Sequence, residues 1–90
     1  MTSASVQLVA EAVRYYSKGD EDCFFAWLQK IDAVKKFEGS GTSLFIECSP
    51  PPISDESLRE LRALFRRYGV ETRQLDIYLT DANRAWFGRG

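Results

Sequence analysis

The chain has 90 residues, 44% of them apolar and twelve aromatic. One domain typically takes ~100–200 residues, so residues 1–90 are expected to form a single domain around one core. Twelve basic and thirteen acidic side chains leave a net charge of −1, so no bulk field draws the molecule to nucleic acid or an anionic membrane. With no histidine, Ser-His triads, imidazole base catalysis and His-ligated zinc are excluded.

The first predicted element is a helix from about Ser5 to Ser17, because Val6, Val9, Ala10, Val13 and Tyr16 recur at helical spacing. Lys18-Gly19 reads as its C-terminal stop. Asp20 then caps a second helix, Glu21 to about Lys30, whose apolar face is Phe24, Phe25, Leu28 and Ile31. From Val34 the period changes. Val34–Glu38 and Thr42–Cys48 read as a hairpin whose turn, at Ser40-Gly41, sets Phe37 opposite Leu44. Leu44, Ile46 and Cys48 then share one face with Phe37, and Lys36, Phe45 and Glu47 share the other, leaving the sheet half covered.

Pro50-Pro51-Pro52 ends the hairpin. Ser54, Asp55 and Glu56 start a third helix with Leu58, Leu61, Leu64, Phe65 and Tyr68 on one face, stopped by Gly69. Val70 to about Thr72 is expected to open a third strand. Residues 74–79 fit two periods, strand for Leu75, Ile77 and Leu79, helix for Leu75, Tyr78, Leu79 and Ala82; a short strand is the chosen reading. A terminal helix follows from about Asp81 to Phe87. The order α-α-β-β-α-β-α makes an α+β domain, a three-stranded sheet of one antiparallel hairpin plus one strand, packed by helices. Phe25, Leu28, Leu44, Ile46, Leu61, Phe65 and Trp86 are the expected core.

Chemistry-bearing residues are few. Cys23 and Cys48 have no CxxC spacing and no third ligand, so neither a zinc site nor another cofactor is expected; two reduced, packed thiols are. No apolar run approaches ~18 residues, so no membrane span is expected. Residues 6–13 lack a basic flank and a cleavage-like site, so no signal peptide is expected either, and the chain is read as cytoplasmic. Asp20-Glu21-Asp22 fits a helix start, and Gly39-Ser40-Gly41-Thr42-Ser43 fits turn chemistry, lacking the lysine and following helix of a phosphate loop.

Arg59, Arg62 and Arg66 lie within about 60° of one another on a helix of ~3.6 residues per turn, and Arg67 and Arg73 can extend the stripe. All seven basic residues after position 48 are arginine, a choice suited to carboxylate or phosphate recognition. Glu56 and Glu60 are spaced to pair with them along the helix. A second candidate surface is the open sheet face with Lys36, Phe45 and Glu47. Glu47 as a catalytic acid would need a second carboxylate that the sequence does not supply, so no catalytic residue is assigned and a non-enzyme is expected.

Phe24-Phe25-x-Trp27-Leu28-x-Lys30-Ile31, Gly39-x-Gly41-x-x-Leu44-x-Ile46, Leu58-Arg59-Glu60-Leu61 with Leu64-Phe65-x-Arg67-Tyr68, Gln74-Leu75 and Asn83-x-x-Trp86-Phe87 together resemble small bacterial proteins of polymorphic-toxin loci, the immunity proteins of contact-dependent inhibition or Rhs systems. The resemblance spans about residues 20–87 and rests on core and turn positions. It implies a protein partner, a cognate toxin, and carries over no catalytic residue. The alternative expectation is a nucleic-acid-binding domain using the arginine stripe.

Overall fold

The computed structural model describes residues 5–87. Three strands, β1 (Val6–Glu11), β2 (Val34–Ser40) and β3 (Ser43–Cys48), form an antiparallel sheet in the order β1-β3-β2. Three α-helices, α1 (Lys18–Lys30), α2 (Asp55–Tyr68) and α3 (Asp81–Phe87), and a 3₁₀ helix (Thr72–Tyr78) complete the described chain. The fold is α+β, a hairpin plus one strand packed by helices.

The added strand is β1, in place of the helix expected over Ser5–Ser17. Leu8 and Ala10 are buried while Gln7 and Glu11 are exposed, an alternation of period two. Val-rich segments this short satisfy both periods. Strand pairing decides here, because β3 offers an unpartnered edge and β1 fills it from Val6↔Cys48 to Glu11↔Ser43. Lys18-Gly19 therefore stops nothing. Ser17 caps α1, its hydroxyl accepting from the Asp20 N–H at 3.1 Å, and Gly19 lies in the first turn.

The hairpin turns one residue later than expected, at Gly41-Thr42, with Ser40 opposite Ser43. Gly41 takes φ +61°, the left-handed value that a tight hairpin needs at its first central position and that glycine adopts at no steric cost. Phe37 accordingly faces Ile46, not Leu44. Because its partner moved by two, Leu44, Ile46 and Cys48 still point to the core with Phe37, and Lys36, Phe45 and Glu47 to the open face.

The strand expected to open at Val70–Thr72 and run over 74–79 does not form: Val70 and Glu71 are irregular, and Thr72–Tyr78 is a 3₁₀ helix. Leu75 and Tyr78, three apart, both turn inward, as a helix of three residues per turn requires. The outer edge of β1 is met by one side chain. Val9 N–H donates to Gln74 Oε1 at 2.7 Å, and Gln74 Nε2 donates to the Val9 carbonyl at 2.8 Å. The amide thus substitutes for a neighbouring strand's peptide and blunts an edge that would otherwise invite pairing.

α2 runs as expected, capped by the Ser54 hydroxyl and closed by Gly69 at φ +73°. It lies antiparallel to α1: Trp27 Nε1 donates to Glu60 Oε1 at 2.7 Å near one end, and Tyr68 hydroxyl donates to Asp20 Oδ1 at 3.1 Å near the other. α3 also matches its expected span, and its start is fixed by a reciprocal pair. Asn83 N–H donates to the Thr80 hydroxyl and Thr80 N–H to Asn83 Oδ1, a capping box with asparagine in the place of glutamate. Leu28, Leu44, Ile46, Leu61 and Phe65 share one core; Phe25 and Trp86 are half-buried against it, and Phe24 takes the central aromatic position.

Candidate functional site

The arginine stripe of α2 does not form one surface. The Arg59 guanidinium lies 4.5 Å from the centre of the Trp86 ring, and Arg62 lies 5.1 Å from that of Phe87. α3 thereby occupies two of the three stripe residues. Glu60 does not pair with them, because its carboxylate takes the Trp27 indole N–H. Arg66 stays exposed beyond the reach of α3 and has different company.

That company is a cleft of about 510 Å³ between the end of α2 and the segment leading into α1. Arg14, Arg66 and Arg67 line it with Tyr16, Tyr68 and Asp20. Each position has a local cause. Arg66 and Arg67 sit in the last turn of α2, where cations suit the helix dipole. Arg14 is delivered by the irregular stretch between β1 and α1. Tyr68 bridges to Asp20, and burial first, then that hydrogen bond, hold its phenol above the ordinary pKa, so it remains a donor. The Asp20 carboxylate also accepts from Tyr16 N–H at 3.1 Å.

Three guanidiniums thus face one carboxylate that already has two donors, and among the described residues none of the three makes an ion pair. Tyr16 beside them is 83% exposed. Arg14 and Tyr16 were not legible as site residues. Their spacing assigned both to a helix that does not form, and Tyr16 to its apolar stripe.

The second sequence-predicted surface, Lys36, Phe45 and Glu47, is assembled on the open face of the sheet, away from the α2 arginines. Lys36 Nζ lies 3.7 Å from Glu47 Oε1, and Ser5 hydroxyl donates to Glu47 Oε2 at 3.2 Å. Gln7 and Glu38 complete a shallow hollow of about 190 Å³ there. The cross-strand pair accounts for Glu47 as ordinary sheet chemistry.

Other candidates resolve into structure. Asp22 pairs with Lys18 at 3.1 Å, and Ser43 hydroxyl donates to Glu11 at 2.7 Å. Both cysteines are free thiols, but only Cys48 is packed; Cys23 is exposed on α1, whose inward positions go to Phe24 and Leu28. Burial pushes the Cys48 thiol up to about 11. Among the described residues no group of His, Cys, Asp or Glu could hold a metal ion, and no helix is long and apolar enough to cross a membrane.

No family model, curated protein or solved structure matches this chain.

Proposed function

We propose that this protein is a protein-binding module whose contact face is the arginine cleft of Arg14, Arg66 and Arg67 with Tyr16 at its rim. The observation that carries the reading is the set of three guanidiniums without ion-pair partners beside a tyrosine that is 83% exposed. Arginine and tyrosine are enriched among the residues that dominate binding energy at interfaces. An arginine fork matches carboxylates bidentately, so the partner surface is acidic. The resemblance to immunity proteins supplies the finer form of the proposal, a cytoplasmic protein that neutralises a cognate toxin.

The test is co-expression with the product of the neighbouring reading frame and co-purification at graded salt. A complex that survives with the wild-type chain and is lost with Arg14→Ala/Arg66→Ala/Arg67→Ala supports the reading. A complex indifferent to all three substitutions contradicts it. The second reading, nucleic acid, predicts steep salt dependence from counterion release. Oligonucleotide binding that disappears in the same triple variant would replace the proposal with that one.

A further inference from the structure

A second cleft, about 630 Å³, opens beside the first at the hairpin end of the sheet, and Arg14 lines both. Its floor is Ala10, Gly39 and Leu44 on the core face of the strands, and the rings of Tyr15 and Phe25 stand beside it. Those rings belong to a continuous aromatic cluster: Phe25 stacks on Phe37 at 5.5 Å, and Tyr15 reaches Tyr68 of the arginine cleft at 6.4 Å.

Two residues lining this cleft have side chains opposite to what their backbones favour. Gly39 lies inside β2, its φ outside the left-handed region, and a β-carbon built on it meets no atom within 4 Å. Neither conformation nor crowding requires glycine there, and glycine weakens a strand interior. Ala12 holds φ +50°, where glycine would be at ease and an L side chain is strained. The missing side chain at Gly39 leaves the cleft open. The left-handed Ala12 turns the chain out of β1 towards Arg14, its N–H held by the Thr42 carbonyl at 2.8 Å.

Resting on the protein-binding reading, we infer that this cleft takes one aromatic or large aliphatic side chain of an acidic partner segment whose carboxylates engage Arg14, Arg66 and Arg67. Charge complementarity and continuity select this occupant. The apolar floor and aromatic walls fit a single anchor, and the arginine cleft across Arg14 fits the acidic residues flanking it. An apolar anchor in a desolvated pocket with a charged surround is the usual energetic centre of a protein interface.

The test uses end-blocked acidic peptides carrying a central phenylalanine or, as control, a central serine, with fluorescence anisotropy and amide chemical shifts as readouts. The phenylalanine peptide should bind at least about tenfold more tightly than the serine peptide, the discrimination expected of a buried anchor, and shift the amides of Phe25, Gly39 and Leu44. Gly39→Ala and Gly39→Leu should weaken it in that order while the melting temperature holds or rises, because the space they fill is empty. Equal binding of the two peptides, or full binding by Gly39→Leu, overturns the anchor site and leaves the arginine reading standing. Absence of binding by either peptide, with retention of a single-stranded oligonucleotide, overturns both.

Discussion

Arg59 and Arg62 in the middle of α2 lie over the rings of Trp86 and Phe87, whereas Arg66 and Arg67 in its last turn line a cleft with Arg14 and an exposed tyrosine, Arg67 5.9 Å from the centre of the Tyr68 ring. The residue type, helix and solvent-facing side are shared; what differs is whether α3 lies alongside. Cation–π contact converts one half of the stripe into a clamp for the terminal helix. Among the described residues Arg66 makes neither an ion pair nor a cation–π contact, and Arg67 lies against the ring of Tyr68 within the cleft. A periodic stripe of one residue type therefore does not define a surface until the neighbouring elements are placed.

The largest expected effects lie on the opposite side of the same helix. Leu61→Ala or Phe65→Ala should cost on the order of 2–5 kcal/mol in urea melts, against ~5–15 kcal/mol for a whole domain. Melts of both variants that matched the wild type would mean that α2 had been placed with the wrong face inward.

The two cysteines give a similar contrast of one residue type in two settings. Cys48, raised to about 11 by burial, keeps its proton in the folded chain at pH values where an unfolded chain loses it. Its contribution is therefore complete below the ordinary thiol pKa near 9.0 and lost as pH rises towards 11. The loss is bounded at about 3 kcal/mol. Thiolate absorbance of a Cys23→Ser variant should titrate near that value, and a thiol reagent should modify Cys23 alone until denaturant is added. Rapid modification of both thiols in the native protein would contradict the packing of Cys48.

The comparison along α2 itself is finer. Arg59→Ala should destabilise by ~0.5–1 kcal/mol, the worth of an exposed cation–π contact, and by close to nothing when Trp86 is already alanine. Arg66→Ala should move the melt by less than ~0.5 kcal/mol in either background. Equal stability effects at Arg59 and Arg66 would erase the distinction between clamp and free donor.

Elements with a cap and one clear period are legible in the sequence. Ser54 and Gly69 bracket α2, and Asp81–Phe87 is α3. Hairpin face assignments survived a turn displaced by one residue, because Phe37 stayed on the side of Leu44 and Ile46. Where two periods fitted, non-local partners decided. Val6–Glu11 became a strand because β3 had an open edge, and Thr72–Tyr78 became a 3₁₀ helix whose Gln74 closes the other side of β1. The arginine cleft was half legible for the same reason. Arg66 and Arg67 stood on a correctly placed helix, while Arg14 and Tyr16 reach it only through a segment whose path depends on β1.

Binding of the acidic phenylalanine peptide to two paired variants tests the central claim most directly. Arg66→Ala/Arg67→Ala should weaken it by about tenfold or more, a loss of ~1.4 kcal/mol or greater, with an unchanged melting temperature. Arg59→Ala/Arg62→Ala should lower the melting temperature and leave the affinity within about twofold of wild type. The opposite pattern, affinity lost with Arg59 and Arg62 and untouched by Arg66 and Arg67, would contradict the division of α2 into a structural and a binding half.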